Sequence, residues 1–275
     1  MSFSGQTVWI TGASSGIGAA LAKALAKQGA RLVLSGRNVA ALEAIAAECD
    51  DSLVLPFETT DYAAIGPAVE QAWAWAVGGS GGIDMLVNNA GISQRSLAAD
   101  TDFSVYQRII DVDLLAPIAL TQAILPRMIA RGSGRLVMIS SVAGKAGSPM
   151  RTGYSAAKFG LIGYADALRA EVTHLGLKVH VIAPGSIRTN VSRNALTADG
   201  SARGASDAAI DTGIDPDQAA TEMLAAIATD QREIIIANGV EKWLAETTRT
   251  PDEIFDKMAA FVAAGYAEKM KAEGN

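Results

Sequence analysis

Residues 7–28 read TVWITGASSGIGAALAKALAKQ, and this stretch decides the fold. Residues 7–10 are a short apolar run that reads as a strand. Residues 17–28 carry Ile17, Leu21, Ala24 and Leu25 at helical spacing, and Gly29 follows as a stop. Between strand and helix lies TGASSGIG, residues 11–18. Its glycines, Gly12, Gly16 and Gly18, are not spaced as G-x-G-x-x-G, but similar physics applies. Gly12 permits a tight turn, Gly16 lets the backbone approach a pyrophosphate at the helix N-terminus, and Gly18 allows close contact between helix and strand. The other reading of the same residues is a glycine-rich turn that binds nothing.

Outward from this unit the strand–helix rhythm repeats. Strands are expected at residues 31–34, 52–57, 83–87, 135–140, 178–183 and 233–236. Helices are expected at 39–49, 62–77, 103–115, 117–131 and from Tyr154 to about His174. Apolar Val/Ile/Leu strands separated by helices predict a parallel sheet covered on both faces. Together with the first strand this makes seven strands in one α/β domain. Two regions break the rhythm. Residues 186–216 are rich in Ser, Ala, Gly and Asp with weak periodicity, and a loop of that length is a lid or is disordered. Residues 251–271 carry Ile254, Met258, Phe261, Val262 and Tyr266, the stripe of an added helix that packs on the body or on another subunit.

Composition narrows the function. The chain has 275 residues, 49% of them hydrophobic, enough for one large core. A net charge of −6 and a pI near 5.0 argue against nucleic acid, whose binders present basic faces. One cysteine, Cys49, rules out internal disulfides, and with only two histidines, His174 and His180, no metal cluster is expected. The weakly polar residues 62–83 are interrupted by Pro67, Glu70 and Gln71, so no membrane span is expected there. No export signal is read at the N-terminus, which predicts a cytoplasmic protein.

Residues 140–158 read SSVAGKAGSPMRTGYSAAK. Tyr154 and Lys158 are four apart and share one helix face. Ser141 stands at the end of the fifth predicted strand, where open α/β sheets hold ligands. The trio suits hydride transfer at a carbonyl. A nearby cation favours the phenolate and makes Tyr154 a usable proton donor and acceptor. Ser141 can hydrogen-bond the same substrate oxygen. Tyr-x-x-x-Lys alone is a weak signal; the serine and the N-terminal turn strengthen it.

Taken together, TGASSGIG at 11–18, NNAG at 88–91, Ser141, Tyr154-x-x-x-Lys158 and PGSIRT at 184–189 resemble the short-chain dehydrogenase/reductase family. The resemblance covers most of the chain, to about residue 240. It implies a single Rossmann-type doubly wound domain with seven parallel strands flanked by helices. It implies that Gly12, Ser14, Ser15, Gly16, Ile17 and Gly18 form part of the cofactor-binding site. Asn89, Ala90 and Gly91 would line its adenosine and ribose side, and Pro184, Gly185, Ile187 and Thr189 its nicotinamide carboxamide. Ser141 would orient the carbonyl and Tyr154 act as general acid–base. Lys158 would bind the nicotinamide ribose and make the phenol more acidic. A small-molecule carbonyl or alcohol substrate and a homodimer or homotetramer are implied too. IRTNVSRNAL, residues 187–196, is similar to a branch acting on lipophilic carbonyls.

The cofactor choice turns on SGRN, residues 35–38. An acidic residue here reads NAD, whereas an arginine accommodates the 2′-phosphate of NADP. Arg37 therefore predicts NADP(H); a solvated arginine is the alternative. Glu58 stands where the family has Asp beside the adenine. Asp113, in DVDLLAP at 111–117, stands where the family has an Asn whose main-chain carbonyl holds a water in a proton relay to the lysine. Asp113 keeps the carbonyl, so the relay is expected to survive. The carboxylate could strengthen the network around Lys158 or compete with Tyr154 for it. Ser93, Gln94, Gly147, Met150 and Arg151 flank the reacting centre in the family layout and are candidates to line the substrate pocket. The competing function is a non-catalytic NADP(H)-binding redox sensor, which would need none of Ser141, Tyr154 and Lys158.

Overall fold

All five residues of β1 (Thr7–Thr11) are buried, as a strand covered on both faces requires. They alternate between two cores. Val8 and Ile10 join one hydrophobic cluster and Trp9 the other. The same period-two division separates Leu32 and Leu34 from Val33 on β2 (Arg31–Ser35), and Met85 and Val87 from Leu86 on β4 (Met85–Asn88). The buried Trp9 indole donates to Ser35 Oγ at 2.8 Å, so its N–H is not left unpaired.

The structure is a computed structural model and describes residues 3–246 together with residues 256, 260, 263 and 264. Its sheet has seven strands in the order β3-β2-β1-β4-β5-β6-β7, with β3 at Ser52–Val54, β5 at Gly134–Ile139, β6 at Leu177–Pro184 and β7 at Glu233–Ile236. Every neighbouring pair is parallel. Helices α1 (Gly16–Ala26), α2 (Val39–Ala46) and α8 (Pro216–Ala228) supply Leu21, Leu25, Leu42, Met223 and Ile227 to the first core. Helices α3 (Tyr62–Val77), α5 (Ala116–Arg131) and α6 (Thr152–Val172) supply Ile65, Leu120, Ile124 and Leu161 to the second. The chain winds outward from β1 to β3, then returns to lay β4 on the other side of β1. A cleft opens at that reversal, above the carboxyl ends of the strands.

The expected strand at 52–57 ends at Val54; the Leu55 amide makes one more bond, to the Leu34 carbonyl at 2.9 Å, before the chain leaves β2. The expected break between helices at residue 116 is not a break. Helix α4 (Phe103–Ile110) runs through one widened turn, Asp111–Leu115, directly into α5. In that turn the Ala116 N–H bonds the Asp111 carbonyl, five residues back. Pro117 has no N–H to give the Asp113 carbonyl, so that carbonyl lacks the usual partner four residues on.

The run Phe103–Arg131 is long and apolar enough to cross a membrane by length and composition. Here Val105, Ile109, Leu120, Ile124 and Met128 are buried in the protein's own cores. Residues 186–216 contain α7 (Ala208–Asp211) and isolated bridges, Ile187 to Ile214 and Leu196 to both Gln94 and Ala202. Arg95 and Arg203 both pair with Asp207, and Arg151 lies 3.5 Å from it. Arg151 is thus paired within the protein. Trp73 and Trp75, which cannot share a helix face, are both half-buried; Arg31 lies over Trp75 and Arg127 and Arg131 over Trp73. The expected tail helix at 251–271, apart from those isolated positions, lies outside the described residues.

Candidate active site

The cleft follows the carboxyl edge of the sheet from β3 to β6, and its volume is about 560 Å³, within the range for small-molecule sites. Each strand end contributes in turn. Glu58 follows β3, Arg37 follows β2, and Gly12, Ser14, Ser15, Gly16 and Ile17 follow β1. Asn89, Ala90 and Gly91 follow β4, and Ser141 follows β5. Pro184 ends β6, with Gly185, Ile187 and Thr189 after it, while Tyr154 and Lys158 enter from α6. All of these line the same cleft.

The glycine turn is built by close approach. A Cβ on Gly18 would lie 2.3 Å from the Gly12 carbonyl oxygen and 2.6 Å from Asn89 Nδ2, so only glycine lets α1 start here. Gly18 is buried behind the turn and does not line the cleft. Ser15 caps α1 in an extended conformation and makes no side-chain cap bond. The amides of the first helical turn have no intrahelical partners and suit an anion. Thr11 ties the turn to β4: its Oγ1 accepts from the amides of Asn89 at 3.0 Å and Ala90 at 3.1 Å. Asn89 Nδ2 donates back to the carbonyls of Thr11, 2.9 Å, and Gly12, 3.3 Å. Asn88 turns the other way, to Thr121 Oγ1 at 3.0 Å. Thr11 was legible only as the first residue of the glycine turn; its hydroxyl bonds to the residues after β4 follow from the crossover.

Ser141 opens the short turn Val142–Gly144, and its Oγ accepts from the Ala143 amide at 3.1 Å. The same Oγ lies 3.4 Å from the Pro184 carbonyl oxygen, bringing the ends of β5 and β6 together. Lys158 is buried; its Nζ donates to the Ile139 carbonyl at 3.0 Å and lies 5.6 Å from the centre of the Tyr154 ring. Tyr154 and Lys158 therefore meet in one environment, facing the cleft.

Asp113 is placed differently from the other candidates. It is fully buried and does not line the cleft; Gly91 and Ile92 lie against its carboxylate. Its Oδ1 accepts from the Ile92 amide at 2.9 Å and lies 3.9 Å from Lys158 Nζ, while Oδ2 has no partner. Burial pushes this carboxyl up to about 6, against the opposing effects of Lys158 and the Ile92 amide. At the other end, Arg37 and Glu58 form a long, exposed pair at 3.5 Å. Such a pair is weak, which leaves the guanidinium available to a phosphate.

Ser93, Gln94, Gly147, Met150 and Arg151 are not among the residues that line the cleft. Gln94 is buried and supports the start of α6, where its Oε1 accepts from the Gly153 amide at 2.8 Å. The cleft is instead lined by Asn190, Val191, Asn194, Leu196, Ala202 and Ile210 from the 186–216 segment. Weak periodicity hid these positions. Among the described residues no cluster of His, Cys, Asp or Glu is arranged to hold a metal.

A nicotinamide dinucleotide fits this geometry: a cradle that a Cβ would fill, free helix amides above β1, and a cleft spanning both halves of the sheet. Residues 6–200 match the short chain dehydrogenase family. "Dehydrogenase/reductase SDR family member 7B" of Danio rerio is 40% identical over 238 residues, 84% of this chain and 77% of the relative. A short-chain dehydrogenase from Sphingobium yanoikuyae, solved with NADPH, superposes with a TM-score of 0.72 at 27% identity, over 84% of this chain and 87% of that one. A short-chain dehydrogenase/reductase from Burkholderia phymatum, solved with NAD, gives a TM-score of 0.75 at 20% identity, over 86% and 90%, and shares the fold.

Proposed function

Because the chain belongs to the short-chain dehydrogenase/reductase family, and is thus an oxidoreductase of Rossmann fold, we propose that it transfers a hydride between NADP(H) and a ketone or secondary alcohol. The observation that carries this reading is that Ser141, Tyr154 and Lys158 line the same cleft as the Gly12–Ile17 turn. The cofactor, when bound, supplies or accepts the hydride. The protein supplies everything else.

In the direction of reduction, Ser141 Oγ orients the substrate oxygen, its own position fixed by the Ala143 amide. Tyr154 gives its phenolic proton to that oxygen as negative charge develops there. Lys158, fixed by its bond to the Ile139 carbonyl, keeps a positive charge near the phenol and favours the phenolate left behind. In oxidation the same groups act in reverse. Asp113, behind Lys158, holds the Ile92 amide and so fixes the segment that follows β4.

Arg37 supports the choice of NADP(H), since an exposed guanidinium beside the turn suits a 2′-phosphate through paired charge-assisted bonds. Glu58 lies on the adenine side. Segment 186–216 acts as the substrate lid, and α5 and α6 carry the surfaces through which a dimer or tetramer would form. No structural observation favours a non-catalytic sensor over the enzyme.

The test is to incubate NADPH with a panel of ketones and aldehydes and follow nicotinamide absorbance. Oxidation of NADPH with at least one carbonyl, lost in Tyr154→Phe, is expected. Binding of NADPH without turnover on any of the panel, in reduction or oxidation, would favour the sensor.

A further inference from the structure

Helix α9 (Gly239–Glu246) lies beyond the part of the chain that matches the family, residues 6–200. Its Glu241 makes two bonds to one residue. Oε2 accepts from the Ser186 amide at 2.8 Å, and Oε1 accepts from the Ser186 hydroxyl at 2.8 Å. The Ser186 carbonyl accepts in turn from the Ile214 amide at 2.9 Å. Every polar group of Ser186 is therefore engaged. The carboxylate reaches this position only because residue 185 is glycine: a Cβ there would lie 2.4 Å from Glu241 Oε2 and 2.9 Å from Ala237 Cβ.

The anchored backbone matters because of what flanks it. Gly185 and Ile187, on either side of Ser186, line the cleft, as do Pro184 and Thr189. Helix α9 is itself seated on the site: Ala245 and Ala237 pack with Val142, the residue after Ser141. Main-chain bonds from β7 and Ile214 hold residues 185 and 188, through Gly185 N to Ile236 O at 2.9 Å and Arg188 N to Ile214 O at 2.9 Å. Between these two supports, Glu241 alone of the named partners fixes the amide of Ser186.

We infer that Glu241 is a positioning residue for the nicotinamide half of the cofactor. It holds the Gly185–Ser186 backbone so that Ile187 and Thr189 present a pre-formed surface to that half. The inference rests on the reading of the cleft as an NADP(H) site. Without the carboxylate, the Ser186 amide and hydroxyl lose their partners, and the segment must be ordered when cofactor binds. The adenosine half, at the Arg37 end, is untouched.

The experiment compares two nucleotides on the full-length chain by calorimetry: NADP+, and 2′-phospho-ADP-ribose, which lacks the nicotinamide. Glu241→Ala should weaken NADP+ roughly tenfold, the size expected for lost bonds to a charged acceptor. It should leave 2′-phospho-ADP-ribose within about twofold. Glu241→Gln keeps an oxygen for the amide and an NH2 group for the hydroxyl, and should restore most of the loss. A general loss of structure would weaken both nucleotides alike; that result, or no loss for either, overturns the inference. If Glu241→Ala does not fold, Ser186→Ala decides, because it removes only the hydroxyl bond. A selective loss of about threefold for NADP+ then supports the inference, and its absence overturns it. If the wild-type chain binds neither nucleotide, the reading of the cleft falls and this inference with it; if wild type binds both but the variants do not discriminate, only the role of Glu241 falls.

Discussion

Asp113 Oδ1 lies 3.9 Å from Lys158 Nζ, with both side chains buried. The carboxyl is pushed up to about 6 by burial, with Lys158 and the Ile92 amide pulling the other way. In the unfolded chain an aspartate titrates near about 3.9. Between about pH 4 and pH 6 the native state therefore keeps a proton that the unfolded chain has released. Stability falls as pH rises through that window and is level above it. The deficit is at most about 3 kcal/mol at neutral pH, at ~1.4 kcal/mol per pKa unit. Asp113→Asn keeps an oxygen for the Ile92 amide and removes the titration. Its stability relative to wild type should rise between about pH 4 and pH 7. Urea unfolding at both pH values checks this; a constant difference would show that Asp113 does not titrate in that range.

Tyr154→Phe removes the phenolic oxygen from α6 without changing its packing. Turnover should fall by about 10²- to 10⁴-fold, the usual contribution of a general acid–base group. The affinity for NADP+ should change by less than about threefold. Lys158→Met should lower turnover too, and should also weaken NADP+ binding if Nζ reaches the ribose. Steady-state rates beside calorimetric affinities separate the two roles. Unaltered turnover in Tyr154→Phe would remove the tyrosine from the mechanism.

Arg37 is exposed and only loosely paired to Glu58. Arg37→Ala should raise the KM for NADPH by about 10-fold or more, the effect of losing a charge-assisted contact to phosphate. The KM for NADH should stay within about twofold. A wild-type preference for NADH, or an equal rise for both cofactors in the variant, would assign Arg37 to solvent.

Two glycines give opposite expectations for the same substitution. Gly18→Ala places a Cβ 2.3 Å from the Gly12 carbonyl oxygen, so the turn must move. A loss of about 1–3 kcal/mol of stability is expected from the overpacking, with dinucleotide binding impaired. Gly163, exposed on α6, has nothing within 4 Å of its would-be Cβ. Gly163→Ala should raise stability by about 0.5–1 kcal/mol through helix propensity. Thermal unfolding of the two variants checks both signs.

Much of the site was legible because its parts are local. TGASSGIG announces itself by lying between an apolar run and a helical period, and Tyr154 and Lys158 share a face because they stand four apart. The helix join at Asp111–Leu115 was misread because Pro117 looks like a helix start. It sits in a continuous run that includes one widened turn. The cleft-lining residues Asn190, Val191, Asn194 and Leu196 were missed for a different reason. Segment 186–216 has weak periodicity, so its order rests on bonds to distant partners, such as the Leu196 amide to the Ser93 carbonyl at 2.7 Å.

The amino-acid order alone determined the parallel α/β class, the succession of strands and helices along the chain, and which residues are candidates to exchange a proton and cradle a phosphate. These depend on backbone periodicity and on short-range sterics, which a few consecutive residues specify. Tertiary structure decided that Asp113 is sealed behind Gly91 instead of facing the cleft, that Gln94 and Arg151 are spent on internal contacts, and that Glu241 reaches back 55 positions to Ser186. Burial and pairing of that kind are set by which distant surfaces meet. No local pattern carries that information until the chain has folded.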